Sequence, residues 1–316
     1  MPAGPFLDEA VGLLQAAPYL VKSLDTQRFI EESQSHHQWI AREKRIAALI
    51  DQLMRADPTQ ILSIVQELNA EPELAACSLK QFLTNPSTNP EQQRKHLHAR
   101  IAMADQDEEQ VEPLAEAFLS GKVQFLIPIR TVLEKYASRL NPRFTELLNN
   151  TAVGDQQRFR AAIALVVFLP QTEISLVLEN NWRYIAEQLI SQNAEYQPIL
   201  REALRSRADR LIPELTRLFS TNNSTDSQKL SAANAIADYA QDDRKMLADL
   251  ITLADPSQFE VLFPLISAGN TKGVIEELAQ VTAKLPEDEL STTDRISFGQ
   301  RRANAAVTLL RLGEPE

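Results

Sequence analysis

Residues 159–165, with the sequence Phe-Arg-Ala-Ala-Ile-Ala-Leu, decide the fold class, because similar alanine-rich stretches occur three more times along the chain. The other copies are residues 97–103, 230–236 and 303–309. The third residue of each copy is an alanine, here called a marker alanine: Ala99, Ala161, Ala232 and Ala305. The intervals of 62, 71 and 73 residues between them indicate an internal repeat. Small side chains at these positions let neighbouring helix axes approach closely.

A second recurring pattern alternates with the marker alanines. Residues 56–61 (Ala-Asp-Pro-Thr-Gln-Ile) return as residues 254–259 (Ala-Asp-Pro-Ser-Gln-Phe), with weaker copies at 120–125 and 192–196. Helical periodicity of apolar residues surrounds both patterns. The two series together predict an all-α fold, an α-solenoid of HEAT-like or ARM-like helical hairpins, with about four units of two hairpins each.

Turn residues predict where single helices begin and end. Asp57-Pro58 and Asp255-Pro256 each read as a helix start, with the aspartate as N-cap and the proline in the first turn. Residues 85–90, Asn141-Pro142 and residues 220–227 read as breaks between helices. The pattern predicts N-terminal helices over residues 1–45 and a helical-repeat solenoid over residues 46–316 that ends within a repeat.

Composition limits the classes of function. The chain has 316 residues and a formal net charge of −11, which disfavours nucleic acid as a partner because such binding depends on neutralising phosphates. The lone Cys77 allows no internal disulfide, and no stretch has the length and apolarity of a membrane span. The residues at the N-terminus lack the pattern of a signal peptide, so we expect a soluble, cytoplasmic chain.

Several stretches carry a resemblance to a known family: residues 300–313, residues 237–240, 247–250 and 254–264, residues 158–162, and Trp182. They resemble part of the very large planctomycete serine/threonine protein kinases, over roughly residues 40–316. The resemblance implies HEAT-type repeats outside the kinase domain of a bacterial signalling protein. This sequence has no glycine-rich nucleotide loop, His-Arg-Asp catalytic loop or Asp-Phe-Gly motif, so kinase activity carries over to no residue here.

Most candidate site residues have a structural interpretation. The pairs His36 with His37 and His96 with His98 are spaced so that their side chains diverge on a helix, which disfavours a shared metal ion and favours solvated or capping roles. Cys77 reads as a buried structural thiol. The acidic run over residues 105–112 reads as helix capping.

Two asparagines in alanine-rich helices, Asn234 and Asn304, look buried in the sequence pattern. Buried amides must be satisfied, so we expect both to bond backbone in an adjacent turn. No catalytic, cofactor-binding or metal-binding residue is predicted.

The densest basic stretch is the candidate partner-binding site, formed by Arg201, Arg205, Arg207 and Arg210. Two interpretations are open: a solvated ridge of ion pairs, or a patch that binds an acidic peptide or a phosphate-bearing partner.

The sequence thus predicts a non-enzymatic protein-interaction or spacer scaffold with a protein or peptide partner and no cofactor. The alternative is an accessory region of a serine/threonine kinase whose catalytic domain is absent from this chain. DNA-lesion recognition, which some HEAT-like solenoids perform, is disfavoured by the net charge and by only two Trp and five Tyr.

Overall fold

The computed structural model describes residues 24–84, 89–221, 224–268, 271–284 and 291–313. Within these ranges the regular secondary structure is entirely helical, with no strand. The predicted all-α class is therefore confirmed. The described residues form two compact units, which divide between Leu114 and Ala115.

In the described part of the first unit, four consecutive helices form what we call set 1. Helices α1 to α4 span Leu24–Arg55, Ile61–Leu68, Pro72–Leu83 and Pro90–Met103. Helix α1 packs against each of the other three, and α4 also packs against α2 and α3. Because α1 runs without a break from Leu24 to Arg55, it crosses the sequence-based boundary at residue 45.

The helices that follow fall into three further sets. In set 2, α5 to α8 span Val111–Ser120, Leu126–Leu133, Ala137–Asn149 and Asp155–Phe168. A short helix, α9, covers Gln171–Leu178. In set 3, α10 to α13 span Trp182–Ser191, Gln197–Leu204, Ala208–Ser220 and Asp226–Tyr239. In set 4, α14 to α17 span Arg244–Leu253, Pro256–Ser267, Lys272–Ala283 and Thr292–Arg311.

Packing in the second unit is mainly between helices close in chain order. Helix α10 packs against α8, α11, α12 and α13, and α14 packs against α15, α16 and α17. An aromatic stack fills the core between α5, α7 and α8: the Phe144 ring lies 6.2 Å from that of Phe118 and 6.1 Å from that of Phe168. Aromatic pairs at such distances add to the free energy already gained by burying the rings.

The two predicted Asp-Pro helix starts differ in the structure. The Asp255 side chain accepts hydrogen bonds from the backbone N–H groups of Ser257 and Gln258, so the prediction of an N-cap there is confirmed. At Asp57 the prediction is wrong, because residues 58–60 form a turn and α2 begins only at Ile61. The Gln60 side chain accepts from the Asp57 backbone N–H, which stabilises that turn instead of a helical start.

Asn141-Pro142 was predicted to break the chain between helices, and this is wrong. Helix α7 continues through Pro142, and α12 continues in the same way through Pro213, 71 residues later. Each proline is the sixth residue of its helix and removes one backbone hydrogen bond. Burial of Leu140, Phe144 and Leu148 along one face of α7 outweighs that loss.

Gly121, just after α5, is a position where glycine is required. A Cβ atom there would lie 2.3 Å from the backbone oxygen of Ala117, and backbone cannot rotate away as a side chain can. We therefore expect Gly121→Ala to lower the free energy of unfolding by about 1–3 kcal/mol, the usual cost of overpacking, in urea titrations.

Gly273→Ala is the matched control, because a Cβ on that residue of α16 meets nothing within 4 Å. It should leave stability unchanged or raise it by up to about 1 kcal/mol through helix propensity. Equal effects from the two substitutions would contradict the steric argument.

Candidate partner-binding surfaces

The four marker alanines occupy corresponding places in the structure. They lie in α4, α8, α13 and α17, the last helix of each set, and all four are fully buried. The residue that precedes each of them is polar: His98, Arg160, Ser231 and Asn304. Each of these polar residues takes part in a hydrogen bond that links helices of its own set.

In three sets, this polar side chain binds carbonyl groups where the first helix of the set ends. His98 Nδ1 donates to the Leu53 oxygen at 2.7 Å. Arg160 donates to the Phe118 and Gly121 oxygens at 3.1 and 3.2 Å. Asn304 donates to the Thr252 and Ala254 oxygens at 3.1 and 2.8 Å. We call this arrangement the carbonyl bracket.

Set 3 has the bracket in a modified form. Ser231 is too short to reach the end of α10, and Gln197 bridges the gap. The Gln197 amide donates to the Ser231 hydroxyl at 2.9 Å and to the Gln192 oxygen at 3.0 Å. Sequence reasoning missed all four brackets, although a polar residue before each marker alanine was a visible signal.

The bracket matters because a helix end leaves its last carbonyls without partners in its own helix. An unpaired buried carbonyl costs about as much as a lost hydrogen bond. Arg160 is itself buried, and burial lowers the pKa of its guanidinium to about 10. The group therefore stays charged at neutral pH, and the Phe118 and Gly121 carbonyls compensate for its loss of water.

The predicted arginine site divides into two parts. Arg201 and Arg205, on and just after α11, both pair with Asp238 at the end of α13, at 2.9 and 2.7 Å. Burial alone would raise the pKa of Asp238, but the hydrogen bonds from Arg205 and Arg201 outweigh it and lower that pKa. The Tyr239 hydroxyl donates to the Arg201 backbone oxygen at 2.9 Å, which fixes the same corner.

The other two arginines lie where α12 begins. Arg207 is half-buried, and its Nε has no hydrogen-bond partner among the described residues. Arg210 reaches Asp209 at 3.7 Å and Glu179 only at 4.0 Å, so both its ion pairs are long. The structure thus brings Arg201 and Arg205 together on one carboxylate and leaves Arg207 and Arg210 more weakly paired.

The histidines take separate positions. His98 is buried in the bracket, whereas His36 and His37 are exposed on α1 and His96 is half-buried on α4. Capping is confirmed at His98, which binds a carbonyl near the end of α1. In the described ranges, no three His, Cys, Asp or Glu side chains come together as a set that could hold a metal ion.

The prediction that Cys77 is a buried structural thiol is wrong, because the residue is exposed. The buried residues of α3 are Ala75 and Leu79, each two positions away, so Cys77 points to the opposite side of the helix.

Asn234 is also exposed, and it donates to the Leu230 oxygen of its own helix at 2.9 Å. The prediction that it is buried is therefore wrong. Both asparagines bond backbone, as predicted, but Asn304 is half-buried, and its acceptors lie at the end of α14 and not in an adjacent turn of its own helix. Capping by the acidic run is confirmed at Asp107, whose carboxylate accepts from the Glu109 N–H at 3.1 Å.

Cavities lie among the described helices of both units. A cavity of about 460 Å³ in the second unit is lined by Ser220, Lys229, Thr252, Asp255 and Arg301 among others. A cavity of about 370 Å³ in the first unit is lined by Asp51, Arg55, Glu91, Arg94 and Lys95. Both carry charges of both signs, and the lining pairs Arg55 with Asp51 and Lys95 with Glu91.

None of the helices in the described part of the chain combines the length and the apolar character that crossing a bilayer requires. A scan against models of protein families, a search of curated proteins and a search of solved structures each found no match to this chain.

The buried His98 predicts a dependence of stability on pH. Its pKa lies below the ordinary 6.5, mainly because burial disfavours the charged imidazolium. The unfolded chain therefore takes up this proton more readily than the folded chain. The stability that neutral His98 supplies is present above pH 6.5 and is lost as the pH falls below that value towards the lower pKa of the folded chain.

We expect His98→Asn to cost about 1–2 kcal/mol at pH 7.5 through a weakened bracket, and to flatten the loss of stability between about pH 7 and pH 5. Urea titrations across this range measure both effects. His96→Asn, on the same helix, is the control and should retain the wild-type slope. An unchanged slope in the His98 variant would refute the assignment.

Proposed function

We propose that this chain is a non-enzymatic protein-interaction scaffold, and that the helices in each unit stack as HEAT-like hairpins of an α-solenoid. The observation that carries the proposal is the carbonyl bracket. A polar side chain beside a marker alanine ties the last helix of a set to the end of the first helix, in set after set. A recurring internal link of this kind is what a repeat needs to form a closed structural module.

A second correspondence supports the repeat. Residues 127–148 match residues 198–219 at a constant separation of 71, which pairs Arg130 with Arg201 and Pro142 with Pro213. The marker alanines Ala161 and Ala232 have the same separation. Local packing between neighbouring helices, as for α10 and α14, is also the pattern of a solenoid, in which each repeat contacts its neighbours.

The scaffold function follows from the surfaces that such a stack presents. Solenoids bind partners along extended surfaces, and charged side chains there select the partner. Arg210 makes only long ion pairs, with Asp209 and Glu179, and among the described residues no salt bridge joins Arg207 to a carboxylate. We propose that these two, beside Arg201 and Arg205, contact an acidic segment of a protein partner.

The stacking is tested at Gln258, a buried residue of α15 whose amide donates to the Phe219 oxygen at 3.2 Å, across to the end of α12. We expect Gln258→Met to accelerate backbone hydrogen exchange in α12 to α15 and much less in α6 and α7, because repeats couple mainly to their neighbours.

The control is Ser291→Ala, which removes only the N-cap of α17 and should accelerate exchange near residue 294 alone. A Gln258→Met effect that is uniform over residues 115–316 would contradict stacking and indicate a single cooperative core.

The interaction surface is tested with a fluorescein-labelled ten-residue glutamate peptide at low salt. We expect the double variant Arg207→Glu and Arg210→Glu to weaken binding roughly fivefold to tenfold, because two attractive charges become repulsive. Arg183→Glu, at an exposed residue of α10 that pairs with Glu187, is the control and should change affinity by less than about twofold. Equal losses, or no binding by the wild type, would refute this surface.

A further inference from the structure

Helix α17 carries an apolar stripe that faces solvent. Ile296, Val307 and Leu310 are 68%, 45% and 65% exposed. They are three of the five large hydrophobic side chains that are exposed to solvent among the described residues. Their spacings of 11 and 3 residues place them on one face of a helix. Exposed apolar patches of this kind mark interaction sites in soluble proteins.

A groove lies beside this stripe, between α15 and α17. It has a volume of about 260 Å³ and is lined by Pro256, Phe259, Glu260, Asn304, Val307 and Arg311. Its walls are preformed: the Arg311 guanidinium lies 5.0 Å from the Phe259 ring centre and 2.9 Å from the Glu260 carboxylate. Asn304 is held in place by its own bracket.

In set 2, helix α11 occupies the corresponding groove. There the second and fourth helices are α6 and α8, and α11 packs against both of them. Counting from the marker alanines, Val307 and Leu310 correspond to Ile163 and Val166, and both of these are completely buried. The same positions are therefore covered in set 2 and open in set 4.

The helix that fills the set 2 groove is amphipathic. Helix α11 buries Leu200, Ala203 and Leu204 on one face, at positions i, i+3 and i+4. Its C-terminal turn is fixed because Arg130 of α6 donates a hydrogen bond to the Ala203 backbone oxygen. The occupant is thus a short amphipathic helix with one small and two large apolar side chains.

From this comparison we infer that the groove between α15 and α17 binds an amphipathic α-helix of a partner protein, with large, small and large apolar residues spaced as in α11. The inference rests on the proposed repeat, because the repeat makes the two grooves equivalent. Val307 lines the groove and Leu310 lies about one helical turn further along the same face of α17, so binding would bury both side chains as Ile163 and Val166 are buried. Their removal from water supplies the main driving force.

The probe is a labelled peptide with the sequence of residues 193–208, titrated with the full chain in a fluorescence anisotropy assay. We expect saturable binding that Val307→Glu or Leu310→Glu weakens about tenfold or more, since docking would bury an unpaired carboxylate. Leu176→Glu is the matched control, at a leucine of α9 that is 85% exposed, and it should change the affinity by less than about twofold.

The outcomes separate this inference from the function on which it rests. Absence of peptide binding, or binding that the two α17 variants leave unchanged, overturns the groove assignment. Sedimentation that shows a wild-type dimer, dissociated by Leu310→Glu, would make a second copy of the chain the occupant and also overturn it. The glutamate-peptide experiment does not involve this groove, and the hydrogen-exchange experiment measures stacking with no peptide bound, so both can still succeed when the peptide assay fails.

Discussion

A helix that ends inside a protein leaves carbonyl oxygens that need donors from elsewhere, and this structure depends on how that need is met. At the ends of α1, α5 and α14 the donor comes from the helix three places later in its set. Each such bond joins residues at least 39 positions apart, so it fixes tertiary structure as well as a helix end. The marker alanine beside the donor removes side-chain bulk, and the two helices can approach closely enough for the bond to form.

The donors differ in chemistry although their places correspond. His98 reaches one carbonyl while neutral, Arg160 reaches two while charged, and Asn304 reaches two without any charge. Ser231 reaches none at the end of α10 and relies on Gln197. The geometry of the bracket is therefore kept while its electrostatics change from set to set.

The helical class and the positions of the marker alanines could be predicted from the sequence, because both depend on local periodicity. The Asp255 cap was also predicted from a local signal, although the same Asp-Pro signal was wrong at Asp57, where the helix begins only at Ile61. Apolar pattern alone does not say which side of a helix is covered, and this is why Cys77 and Asn234 were placed in the interior. The pairing of Arg201 and Arg205 with Asp238 was hidden because 33 residues or more separate the partners, and only the packing of α11 near α13 joins them.

The chemical differences between the bracket donors also affect folding. Similar helices within one chain can associate with the wrong neighbour during folding, which leads to misassembled and domain-swapped species. A helix carrying Arg160, docked where His98 belongs, would bury a guanidinium against too few carbonyls. A helix carrying His98 in the place of Arg160 would leave a carbonyl unsatisfied. The chemical differences between the brackets thus disfavour non-native helix pairs, because an incorrect pair is less stable than the native one.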